Sequence, residues 1–159
     1  MLQPRRFSGA ALVFAAAAGF AVPTTAAPAN CQGTPSDTWL NVAVEGLRNA
    51  NGLVTVAVYP DDSRAFLAKG GTINNHRFRA SVPVTRACVF VPKPGVYAIA
   101  VYHDEDASKK LNRTGLGLPS EGFGFSNNPA TLAGIPAFSS VRLNVPKAGL
   151  TTHVKIRYP

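Results

Sequence analysis

The chain has little of what marks most specialised protein classes. It holds two cysteines, one tryptophan and one methionine in 159 residues. Two cysteines exclude a cysteine-rich scaffold and a four-cysteine zinc site. Charged residues make up only 15% and hydrophobic ones 46%, a balance that excludes a charge-extended disordered chain. There is no Cys-x-x-Cys pair and no Gly-x-Ser-x-Gly elbow, so the usual signals of a redox dithiol and of an α/β-hydrolase are missing. No repeat with a period of about 20–50 residues stands out.

What is present begins with an export pattern. Met1–Arg6 is short and basic, Phe7–Val22 is uncharged and apolar, and Ala27-Pro28-Ala29 supplies small residues for cleavage. These are the three parts of a secretory signal, and the apolar run is shorter than the roughly 20 residues of a membrane span. The expected organisation is a signal peptide over 1–29, a linker over 30–37 and one domain over 38–159, periplasmic or secreted, with no stable membrane span after cleavage. Removal of 1–29 takes away Arg5 and Arg6 and leaves 14 basic against 8 acidic residues, a net charge of +6. The basic residues are scattered, which together with export argues against a nucleic-acid partner. Cys31 and Cys88 both survive cleavage, and in an oxidising compartment they are expected to form one disulfide. Closing that loop would contribute roughly 4 kcal/mol and staple the N-terminal tail to the strand holding Cys88.

Period-two alternation dominates the rest. Leu40, Val42 and Val44 alternate with polar or small residues, and Val54, Val56 and Val58 follow the Asn51-Gly52 turn, predicting a β-hairpin. Asp61–Ser63 are placed to cap a short helical turn holding Phe66 and Leu67. Further strands are expected over 76–82, 85–91, 96–103, 141–145 and 150–158, with 96–103 apolar on both faces as in a central strand. About seven strands and no long helix predict an all-β fold, a single antiparallel β-sandwich of immunoglobulin-like or transthyretin-like type, with one long Gly/Pro-rich loop. Tyr97, just after Pro94-Gly95, fits a tyrosine corner whose hydroxyl bonds back to the preceding backbone.

Chemistry concentrates where the central strand ends. Asp104, Asp106, Ser108 and Asn112 fall at positions 1, 3, 5 and 9 of a calcium-type loop, with Lys110 at position 7, where a backbone carbonyl is used. The glycine of position 6 is Lys109 and the glutamate of position 12 is Gly115. The plainer reading is an acidic turn salt-bridged to Lys109, Lys110 or Arg113. The stretch from Leu111 to Ala137 shows little regular pattern and carries Glu121-Gly122-Phe123-Gly124-Phe125-Ser126-Asn127-Asn128. Loops of that length are usually functional or packed lids. A binding surface is therefore expected from His103, Asp104, Glu105 and Asp106 together with Glu121, Phe123, Phe125 and Asn127.

Two segments, Pro94–Glu105 and Gly117–Asn128, resemble the recognisable stretches of a family of small exported bacterial proteins called domain of unknown function 2141. The resemblance spans about residues 38–159. Family members tend to carry H-D-E-N-x-N-G-K-L-D where this chain has His103–Asn112, departing at Ser108, Lys109 and Asn112. The resemblance implies an exported β-sandwich and supplies no catalytic residues. The leading functional expectation is a non-enzymatic binding or structural module that meets an envelope protein or surface component, with no cofactor. One alternative is a Ca²⁺ site at the acidic turn that orders the long loop. The other is a hydrolase using His103 and a neighbouring carboxylate.

Overall fold

The computed structural model describes residues 26–131, 134–147 and 149–159. The expected signal segment lies mostly outside the described residues. Eight strands form two sheets among the described residues. They are β1 (Trp39–Glu45), β2 (Leu53–Pro60), β3 (Asn74–Arg79), β4 (Val84–Phe90), β5 (Gly95–Asp104), β6 (Gly122–Phe125), β7 (Arg142–Val145) and β8 (Leu150–Lys155). One four-residue helix, α1 (Phe138–Val141), precedes β7. No helix among the described residues is long and apolar enough to cross a membrane.

The smaller sheet runs β4-β1-β8 and the larger runs β3-β2-β5-β6, with β7 also on β5. Alternation decides which side chains meet between them. Leu40, Val42, Val44, Ala87, Val89 and Val154 of the first sheet join Val54, Val56, Val58, Ile99, Val101 and Val145 of the second in one apolar core. Each such side chain contributes on the order of 1.5–3 kcal/mol by leaving water. Val96–His103 lies within β5, the central strand, with β2 on one side and β7 and then β6 on the other. The second face of the larger sheet is covered too, by a smaller cluster of Ala57, Tyr59, Ala98, Phe125 and Val141 with Phe66 and Phe138 packed on it.

Three expectations need correction. The runs before and after Asn51-Gly52 do not form a hairpin: β1 pairs with β4 and β8, while β2 pairs with β3 and β5. Asn51-Gly52 carries the chain from one sheet to the other. Period two assigns a face to each residue and leaves the partner strand open. The strands are not all antiparallel either, since β1 and β8 run parallel. The irregular stretch 111–137 is interrupted by β6, which raises the strand count to eight. In β6 the glycines are required by space. A Cβ on Gly124 would lie 2.5 Å from the Lys155 carbonyl oxygen, and one on Gly122 would strike the Tyr158 ring.

Other expectations hold. The Tyr97 hydroxyl donates to the Lys93 carbonyl at 2.7 Å, closing the tyrosine corner. Cys31 and Cys88 lie at disulfide distance, with Cα atoms 4.3 Å apart. The tail beside them is tied down. Gln32 N–H donates to the Cys88 carbonyl, Phe90 N–H donates to the Gln32 carbonyl, and the Gln32 side chain donates to the Arg77 carbonyl of β3. The tail thus straps β4 of one sheet to β3 of the other. Asp62 opens the short turn that holds Phe66, its carbonyl accepting from Ala65 and Phe66 N–H and its side chain from Arg64 N–H.

Candidate functional site

Alternation along β5 sends His103 inward and Asp104 outward, and both are fully buried. The imidazole is held from two sides. Nε2 donates to the Asn51 carbonyl at 2.8 Å, and Nδ1 faces the Tyr158 hydroxyl at 2.6 Å. A carbonyl only accepts, so the ring proton sits on Nε2. The Tyr158 oxygen accepts from Arg48 N–H at 3.2 Å and gives its own proton to Nδ1. Burial raises the Tyr158 phenol above its ordinary pKa, which keeps that proton in place. His103 therefore has no ring nitrogen free for a substrate.

Glu105 turns away from its acidic neighbours. Its carboxylate meets the Arg48 guanidinium at 2.5 Å and accepts from the Asn49 amide at 2.8 Å. Burial disfavours its charge, but these two partners outweigh burial and hold its pKa below the usual glutamate value. Arg48 also lies over the Tyr158 ring, 4.5 Å from its centroid. Arg48, Asn49 and Tyr158 carry no site signal in the sequence, and Asn51 reads there only as a turn residue. Arg48-Asn49 carries no motif, and Tyr158 reads there as the end of an alternating strand.

Asp104, Asp106 and Glu121 do converge. Each places a carboxylate oxygen within 4.8 Å of the others. The register explains it: β6 pairs Gly122 with His103, so Glu121 arrives beside Asp104. The Asp104 oxygens accept from Ser108 N–H at 2.9 Å and Lys109 N–H at 2.7 Å. The Glu121 oxygens accept from Glu105 N–H at 3.2 Å and Asn112 N–H at 2.9 Å. Asp106 accepts from Ser108 N–H at 3.0 Å and from the Asn112 amide at 2.9 Å. Hydrogen bonds from Asn112 first, and Ser108 second, hold the Asp106 carboxyl at a pKa of about 2.

The Ser108 hydroxyl sits in the middle of this turn. Asp104 Oδ1 lies 3.3 Å from it, the Lys110 carbonyl 3.2 Å and Asn112 Oδ1 3.5 Å. One hydroxyl has one proton to donate, so it serves one of these three acceptors at a time. The other two acceptors then face the lone pairs of that hydroxyl. Ala107 and Lys109 hold φ of 55° and 64°, in the left-handed region. Lys109 thus takes the backbone shape for which position 6 usually needs glycine.

The expected salt bridges from Lys109, Lys110 or Arg113 do not form. No lysine, arginine or histidine side-chain nitrogen lies within 4.0 Å of the Asp104, Asp106 or Glu121 carboxylates among the described residues. Lys109 offers its backbone N–H only, and the Arg113 guanidinium donates to the Gly117 carbonyl.

The remaining expected residues serve elsewhere. Phe125 is buried in the outer apolar cluster, with Phe123 packed against it at a centroid separation of 5.9 Å. Asn127 donates to the Ser140 and Arg142 carbonyls, tying the end of β6 to α1 and β7. That position is well down β5 from Asp104, because Phe125 already pairs with Ala100. The other two histidines lie apart on β3 and β8, and His153 pairs with Glu45.

A family profile described as an uncharacterized protein conserved in bacteria, domain of unknown function 2141, matches residues 42–153. No curated protein and no solved structure matches the chain. The chain belongs to this bacterial family, whose description assigns no activity.

Proposed function

From membership of a bacterial family without an assigned activity, we propose that the protein is an exported, non-enzymatic binding module whose acidic turn takes a hard divalent cation, Ca²⁺ by the chemistry of its donors. In this reading the two sheets form a β-sandwich of immunoglobulin-like or transthyretin-like type, and the cation orders the exposed loop 105–120 as a surface for an envelope component. One observation carries it. Three carboxylates, two from the turn that ends β5 and one from the residue before β6, approach within 4.8 Å, and no basic side chain among the described residues balances them. Buried charge is normally paired or given to a metal. Asp104, Asp106, Glu121, Ser108, Asn112 and the Lys110 carbonyl supply six oxygens, the minimum for calcium and the wrong donor set for zinc or copper. Glu121 fills the role that the loop lacks at Gly115.

The hydrolase alternative loses support, because both His103 nitrogens are occupied inside the core. Calorimetry and melting curves test the cation. Millimolar Ca²⁺ should raise the melting temperature and chelator should lower it, as mass action requires of a ligand of the native state. Asp104→Asn and Glu121→Gln should abolish the response. A melting temperature indifferent to calcium in the wild type would refute the reading.

A further inference from the structure

The loop that leaves the acidic turn ends in a shaped apolar tip. Thr114 N–H donates to the Leu118 carbonyl and Gly117 N–H donates to the Thr114 carbonyl, each at 2.8 Å. Arg113 bridges to Pro119, and its guanidinium holds the Gly117 carbonyl at 2.8 Å. Gly117 stands at φ +80°, where a side chain would be strained. The turn so formed pushes Leu116 and Leu118 into solvent, 90% and 56% exposed. The other exposed large apolar residues, Leu67, Ile73, Val82 and Ile135, stand singly along the chain.

Charge at the tip is of one sign. Residues 109–120 contain Lys109, Lys110 and Arg113 and no acid. All three are exposed, and none pairs with a carboxylate among the described residues. Leucines at the apex with unpaired cations behind them match the two layers of an anionic bilayer surface. Acyl chains would receive the leucines while headgroup phosphates meet the cations. An acidic protein groove would satisfy the cations but offers no reason to present leucines at an apex. A polyanion such as nucleic acid has the same defect.

We propose that the 109–118 tip docks on anionic phospholipid surfaces, inserting Leu116 and Leu118 at the interface. This goes beyond the cation reading and does not require it. The exposed acid beside the tip is Asp106, whose charge opposes anionic lipid. A bound cation would remove that opposition and strengthen docking.

Vesicle flotation decides the matter. Vesicles of pure phosphatidylcholine are compared with vesicles containing phosphatidylglycerol, for full-length chains sharing the same residues 1–29, so that the apolar N-terminal segment contributes equally. Wild type should prefer the phosphatidylglycerol vesicles. Leu116→Ser with Leu118→Ser should weaken that binding about tenfold or more. Each of Lys109→Gln, Lys110→Gln and Arg113→Gln should weaken it about fivefold at low salt. Leu67→Ser, an exposed leucine elsewhere, should leave it unchanged. Leucine-dependent binding in chelator supports the tip by itself, whereas an added gain with calcium would support the cation reading as well. Equal binding to both vesicle types overturns the proposal, as does binding that the leucine pair does not alter. Unchanged circular dichroism of the variants confirms that lost binding is not lost fold.

Discussion

The Tyr158 hydroxyl meets Nδ1 of His103 at 2.6 Å, so the last residues of the chain secure the end of its central strand. His103 in turn holds Asn51, and Asp104 follows it directly into the acidic turn. The candidate site stands on this buried support. Tyr158→Phe removes the donor to Nδ1 and the acceptor for Arg48 N–H while leaving the ring in place. Stranding a buried ring nitrogen costs about 1–3 kcal/mol. Denaturant unfolding should read a loss of that size, and a change of a few tenths would show that His103 finds another partner.

Gly52 is the second support. Its φ is +66°, and a Cβ there would collide with the Asp104 carbonyl and press on the Glu105 backbone. Gly52→Ala should therefore cost at least about 1 kcal/mol from backbone strain alone, with the collision added. Urea midpoints would measure it. In the proposed calcium titration the same variant should bind more weakly, because Asp104 has to move.

Acid should loosen the structure in a defined window. The Asp106 pKa is held at about 2 against an ordinary 3.8, and those of Glu105 and Asp61 also lie below their ordinary values. Hydrogen bonds lower Asp106, the Arg142 guanidinium lowers Asp61, and Arg48 with Asn49 overcomes burial at Glu105. A depressed folded pKa means that the unfolded chain binds more protons, so stability rises with pH through that range. The contribution is complete above about pH 4.5 and is lost progressively as pH falls toward 2. Melting temperatures taken from pH 6 down to 2 should show this decline. Asp106→Asn should flatten its lowest part, and an unchanged slope would remove Asp106 from the account.

The strap formed by the tail should depend on its cysteines. Replacing Cys31 and Cys88 together by serine opens a loop spanning 57 positions. The expected loss is about 2–5 kcal/mol. Melting with and without reductant should show a matching drop in wild type and none in the double variant. Equal stability of the two proteins would mean that the backbone bonds of Gln32 hold the tail unaided.

Single residues show what could be read before folding. Val42, Val54 and Val101 announce their inward faces by period two, Tyr97 announces its corner by following Pro94-Gly95, and two lone cysteines announce each other. These are local or compositional facts, governed by strand geometry and by arithmetic. Strand partners were another matter, and Asn51-Gly52 looked like a hairpin only because turn chemistry carries no record of which sheet receives the next strand. Gly122 and Gly124 read as loop residues, since the need for glycine there comes from Tyr158 and Lys155, more than 30 positions away in sequence. The acidic turn was legible as a set of oxygens along one segment. That Glu121 completes it, that Glu105 leaves it for Arg48, and that His103 lies sealed beneath it were decided by the register of β6 on β5 and by where the chain's end packs. Side-chain chemistry is written residue by residue, but its convergence is a property of strand pairing, which only the folded chain contains.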